Sequence, residues 1–303
     1  LVSIDGLGLL QRAELSTRAD MQPLGRTVQQ LWYPVQKEVA EVLGDTRVRR
    51  TGWYLIGDAM RAHINTKLEP GDILISRKNW YLSNIGLPGF WPHAMLYLGQ
   101  EAKLARYFDG DPQVTAWVRS QGGSGAFSAF LAARYAKAWR SYVAAGKHHE
   151  PRRVIEAVSE GVVFSTLYEC AGDYLAAVRP RLDKVAKAQA VAASFGHFAK
   201  PYDFDFDFAT DDTLVCTELV WRAYQSAPGK KGLNIPLVSV MGRMTLPANE
   251  LVAHFAREYQ KPHQQLDFVA FVDARERLRE AFESTDKAFV ASHERTKWDI
   301  AQR

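Results

Sequence analysis

The chain has 303 residues, 47% of them hydrophobic, with 38 lysines and arginines against 34 aspartates and glutamates. So apolar and balanced a composition excludes a disordered polymer, and two cysteines, Cys170 and Cys216, exclude a disulfide scaffold and a four-thiolate zinc or iron–sulfur site. The net charge of +4 is scattered among acids and gives no basic stripe for nucleic acid, and no run approaches the roughly 20 apolar residues of a membrane-spanning helix.

In chain order, apolar residues at helical spacing predict a long amphipathic helix over 21–43, and a second helical piece over about 53–68 that ends at Pro70-Gly71. Asp72 to Ser76 reads as a short strand. Residues 77–92 hold Gly86, Pro88, Gly89 and Pro92 among aromatics, a structured loop, and His93 to Leu98 reads as a strand closed by Gly99. Residues 101–150 change character, with a Gly-Gly-Ser-Gly turn at 122–125 and an Ala-rich helix over 127–145, and are read as an insertion. Residues 152–166 return to β-like composition, 172–195 carry Ala, Leu and Val at helical spacing, and 202–208 alternate aromatic with acidic residues. A helix is predicted from Thr213 to about Ala227, a strand over 266–272 and a charged terminal helix over 273–298.

Cys216 opens a predicted helix, where backbone N–H donors and the positive end of the dipole favour a thiolate and offer an amide to a developing oxyanion. Asp211 and Asp212 oppose that charge, so an activated thiol needs a cation beside it. The alternative is a small buried apolar residue sharing a face with Leu219, Val220 and Ala223. A thiol nucleophile needs an imidazole as base and a group to orient it. Of eight histidines, His148, His149, His254, His263 and His293 sit among polar neighbours and read as solvent-facing, whereas His93 opens a strand directly after Phe90-Trp-Pro92. It is either a base or a hydrogen-bonded core residue. Glu156 lies on an apolar face with Val154 and Val158, where a carboxylate must be paired, unless that face is a sheet edge open to water or to Arg152.

The motifs Pro-Gly-Asp-Ile (70–73), Pro-His-Ala-Met-Leu (92–96), Val-Ile-Glu-Ala-Val (154–158), Pro-Tyr-Asp-Phe (201–204) and Val-Cys-Thr-Glu-Leu-Val-Trp (215–221) resemble, in this order, the circularly permuted branch of the NlpC/P60 papain-like hydrolases, and within it the YiiX/YebB-like group. The resemblance implies an α+β permuted papain-like fold, an antiparallel sheet packed on the nucleophile helix. It covers about residues 68–275, with a helical extension over 1–67, the insertion over 101–150 and a terminal helix over 276–303. It further implies that Cys216 attacks, His93 carries the proton and Glu156 orients the ring. Tyr202 matches a site-lining or oxyanion-donating position, and Asp72 and Glu218 match positions with structural roles. Cys170 has no counterpart and reads as a buried spectator.

The expected activity is hydrolysis of an amide, including peptide in the cell wall, through a cysteine acyl-enzyme. A lipid or other acyl ester, with the aromatic loop 80–91 receiving the acyl chain, and a non-catalytic binding module are the alternatives. No metal or cofactor is expected: His-Glu-x-x-His and paired Cys-x-x-Cys do not occur, the Asp203, Asp205, Asp207 ladder has phenylalanines where a calcium loop needs glycine, and Gly229-Lys-Lys-Gly232 is not a phosphate loop. The partner is the peptide or acyl substrate, and the oligomeric state is open. The compartment is open: bacterial cytoplasm or, with an upstream signal removed before Leu1, the cell envelope or periplasm.

Overall fold

The computed structural model describes residues 47, 49–50, 52–81, 89–203, 213–240, 242–297 and 299. The helix expected over 21–43 and most of the aromatic–acidic alternation over 202–208 lie outside these residues.

An antiparallel sheet organises the described chain. Its strands are β1 (Ile73–Arg77), β2 (His93–Tyr97), β3 (Val154–Val158), β4 (Gly161–Ser165), β5 (Tyr174–Pro180), β8 (Leu266–Arg275) and β9 (Glu280–Glu283), in the spatial order β4-β3-β2-β1-β5-β8-β9. A short ribbon, β6 (Val238–Val240) and β7 (Arg243–Thr245), stands apart from it. Side chains alternate between the two faces of each strand, and both faces are covered, so β1 is buried throughout and β2, β3 and β5 are buried at all but one position each.

On one face Ile73, Ile75, Ala94, Leu96, Ile155 and Ala157 pack against α7 (Lys184–Gly196), α8 (Cys216–Tyr224) and the helical segment between β2 and β3. On the other, Leu74, Met95, Tyr97, Val154 and Leu175 meet Ile64 of α1 (Asp58–Lys67) and Leu167, Cys170 and Ala171 of α6 (Leu167–Ala171).

Between β2 and β3 the chain forms α2 (Glu101–Phe108), α3 (Pro112–Ser120), α4 (Phe127–Arg134) and α5 (Ala136–Val143). Asp111 caps α3 by accepting from the Gln113 and Val114 amides, and Pro112, which has no amide to satisfy, takes the first helical position. Phe108, Phe127 and Leu131 are fully buried against the sheet's helical face. The chain nevertheless returns to the neighbouring strand, with Leu96 opposite Ile155 and Tyr97 opposite Val154. After β7, α9 (Ala248–Glu258) packs on α10 (Asp286–Ser292), through Phe255 against Phe289, and α10 lies beside β8.

Three expectations are corrected. Residues 174–180 are not helix but β5, the strand between β1 and β8. Burial on both faces removes the period-2 signature, and the Ala-Ala-Val composition then imitates a helix. The helix over 127–145 is two helices broken at Tyr135, whose φ of −123° and ψ of 49° are not helical. The terminal helix over 273–298 is the end of β8, a turn, β9 and the short α10; Arg279 turns the chain with φ 53° and supplies no glycine or proline signal.

A buried ion network closes the sheet end at which β1 finishes and β2 begins. Asp173, fully buried, accepts from Arg47, Arg50 and the Leu55 and Asn79 amides. Glu276 accepts from Nε and Nη2 of Arg50, from Asn79 and from the Trp80 indole.

Candidate active site

Val215 is the N-cap of α8, so Cys216 is its first helical residue and sits at the positive end of the helix. The backbone N–H groups of Ala94 and Thr217 donate to its sulfur, and the Pro92 carbonyl lies 4.0 Å from it. His93, the first residue of β2, hydrogen-bonds to the thiol. Its Nε2 is 2.6 Å from Oε2 of Glu156, which leaves Nδ1 as the ring nitrogen for sulfur. Glu156 is 4% exposed and His93 20%, so the carboxylate is sealed beneath a ring whose edge reaches solvent.

Register explains the juxtaposition. Carried along from Leu96 opposite Ile155, the pairing sets Glu156 beside Met95, one side-chain step from His93 on the same face of the sheet. Glu156 therefore lies on an interior strand, flanked by β2 and β4. The edge-strand alternative does not hold.

The electrostatics follow from contact and burial. Burial alone depresses an imidazolium, but the Cys216 and Glu156 charges outweigh it and raise His93 to about 10. Burial disfavours the Glu156 carboxylate, yet the hydrogen bond and charge of His93, with help from Lys78 and Ser165, lower it to about 2. The Cys216 thiol, penalised by burial, is brought below its ordinary range by His93 and by the two backbone donors. The arrangement sets a thiol, an imidazole and a carboxylate in a row, residue types that together can deliver a sulfur nucleophile and carry a proton.

Tyr202 pairs alongside Leu214, just before the helix, and its phenol is pushed well up by burial and then by the field of Cys216. Asp72 is fully buried, bound through both oxygens to Arg179 and accepting from the Glu69 amide. Glu218, also fully buried, accepts from Arg222 at 2.7 Å and from the Val215 amide at 3.4 Å, and burial raises it to about 7. Cys170 is packed beneath the sheet, its thiol raised well above the ordinary value by burial and then by Glu156.

Sequence reasoning missed two groups that act on Glu156. Ser165 hydrogen-bonds to its carboxylate, and Lys78 adds positive charge. Only the pairing of Ser165 with Val154 puts that hydroxyl on the carboxylate's face, information held in the register and not in any motif. Two expectations change. His254 is not solvent-facing but buried, 3.4 Å from Glu258. Phe90 and Trp91 do not line an acyl site: both are fully buried, Phe90 edge-on to Tyr174 and Trp91 bonded through its indole to Ser292. Among the described residues no group of three His, Cys, Asp or Glu side chains could hold a metal ion, and no helix is long and apolar enough to cross a membrane.

A family model described as permuted papain-like amidase enzyme, YaeF/YiiX, C92 family matches residues 67–293. A solved structure, the metalloprotein YiiX from Escherichia coli O157:H7, is similar at 17% identity over 67% of this chain and 89% of that one, with a TM-score of 0.34. A comparison with curated proteins finds no match. With the model's match spanning most of the sequence, the chain belongs to the YaeF/YiiX, C92 family of permuted papain-like amidases, a cysteine peptidase family.

Proposed function

We propose that this protein hydrolyses an amide through a covalent thioester on Cys216, with His93 as proton carrier and Glu156 as the group that orients it. The observation that carries the reading is the position of the His93 ring, bonded to the Glu156 carboxylate at Nε2 and to the thiol on its other side. In the forward step Sγ attacks the carbonyl carbon, the imidazolium gives its proton to the leaving nitrogen, and the C–N bond breaks to release an amine. Water then attacks the thioester as His93 takes its proton, the C–S bond breaks, and a carboxylic acid leaves with the thiolate restored. Tyr202 lines the thiol side of this site. The favoured substrate is peptide, including the peptide of the cell wall.

Two measurements on the full chain test the reading. With peptide substrates, Cys216→Ala is expected to lose at least about a thousandfold in kcat, and quenched wild-type reactions to show the acyl mass on Cys216. With iodoacetamide at neutral pH, Cys216 is expected to alkylate well ahead of Cys170, and His93→Ala to slow it by about tenfold or more. Equal sluggishness of both thiols, unchanged in His93→Ala, overturns the assignment.

A further inference from the structure

Trp53 and Leu278, with 41% and 65% of their surface open to solvent, are two of the few large apolar side chains exposed among the described residues, and they lie in neighbouring segments. Arg279 stands over the Trp53 ring at 6.0 Å and Arg50 at 5.0 Å. Arg49 stands over Trp80, also at 5.0 Å, and the Trp80 indole donates to Glu276 at 2.8 Å. The two Arg50–Glu276 hydrogen bonds, both 2.7 Å, tie Arg50 to the turn 276–279 between β8 and β9.

This surface is positive by construction. Its acid, Glu276, is buried and consumed by Arg50, whereas Arg49, Arg277 and Arg279 are exposed. Just beyond the turn, Glu280 is matched by Arg275. An exposed leucine lies at the turn tip between two arginines, and Arg279 brings the turn alongside the exposed Trp53, an apolar pair within a cationic surface. It suits a boundary between anionic headgroups and acyl chains, where an indole settles at headgroup level, a leucine goes deeper and arginine stems extend back to phosphate. A soluble polyanion would use the arginines and leave the leucine without a partner. The turn also projects from the sheet end at which Ser76 pairs with His93 and Arg77 with Tyr174, so a bilayer bound there faces the end that carries the thiol.

We propose that Arg49, Trp53 and residues 276–279 form a docking surface for an anionic lipid bilayer, with Leu278 and Trp53 entering the interface. The surface is independent of the chemistry assigned to Cys216. The test is flotation of the full chain with vesicles of phosphatidylcholine alone and of an equal mixture of phosphatidylcholine and phosphatidylglycerol. Wild type is expected to float with the mixture and not with phosphatidylcholine alone. The double variant Arg277→Ser/Arg279→Ser is expected to bind the mixture roughly 30-fold less well, at about fivefold for each arginine. Leu278→Ser is expected to bind it about tenfold less well. Far-ultraviolet circular dichroism and Tm should match wild type in both variants, so that lost binding reports the surface and not the fold. Failure of wild type to float with either vesicle, or equal flotation with both, overturns the proposal. So does loss in the arginine variant with Leu278→Ser unaffected and soluble polyphosphate displacing the protein, which marks a polyanion site.

Discussion

At the scale of single residues, Glu156 governs its neighbours through one hydrogen bond. A buried carboxylate without a partner would be protonated, but His93 at 2.6 Å makes the charged form the stable one, and that charge in turn keeps the ring protonated. The sign is definite. His93 lies above its ordinary 6.5, so in wild type it stays an imidazolium as pH rises through 6.5 and gives up its proton only towards about 10. Replacing the carboxylate by a neutral amide removes a stabiliser of the cation, so in Glu156→Gln the His93 midpoint falls. Histidine ring 15N titration, with His93→Ala to assign the resonance, checks this. A wild-type His93 that titrates near 6.5 contradicts the mutual charging of the pair. The residue types and their order were legible in the motifs, and Glu156 announced itself as an acid on an apolar face. Ser165 did not, because a serine in a strand is unremarkable until pairing sets it against a carboxylate.

At the scale of elements, the strands that carry His93 and Glu156 could be read because the first is a short apolar run bounded by Pro92 and Gly99 and the second is rich in β-branched residues. β5 could not, because a strand covered on both faces by neighbours needs no polar alternation and can be built of alanine. Its entry is set by Gly172, whose φ of 65° lies in the left-handed region, and a Cβ there would meet Cγ of Lys78 at 2.7 Å and the Arg77 carbonyl at 2.9 Å. Gly172→Ala is therefore expected to destabilise the fold by about 2–4 kcal/mol, the sum of backbone strain and a clash against backbone. Gly110→Ala, at φ 84° with nothing near its Cβ, should cost only about 1 kcal/mol. Urea denaturation of the two variants separates the terms, and equal losses would show that the close approach to Lys78 and Arg77 adds nothing.

At the scale of the whole molecule, two hydrophobic layers on a seven-stranded sheet account for most of the burial among the described residues, and a polar network fastens Arg47, Arg50 and Leu55 to one end of it. Asp173 takes four hydrogen bonds there with no exposed surface. Its replacement by asparagine leaves two nearly buried guanidinium groups with one carboxylate between them, and removal of one partner from such a cluster costs about 3–5 kcal/mol. Asp173→Asn is expected to lower Tm by about 10 °C in calorimetry, and a shift within 2 °C of wild type, or about zero, would mean that solvent reaches the cluster. None of this network could be read from sequence. Its members are scattered from Arg47 to Glu276, and nothing local distinguishes a buried arginine from an exposed one.

The sheet also decides how the molecule meets an oxidant. Cys216 belongs to the helix above it and Cys170 to the layer beneath, and both are free thiols. The Cys216 sulfur thus has the sheet between it and Cys170, the other cysteine of these 303 residues. A sulfenic acid formed on Cys216 can be returned to the thiol only by a thiol brought from outside, and without one it proceeds to the irreversible acids. The same layering that shelters Cys170 leaves the enzyme dependent on its surroundings for redox repair.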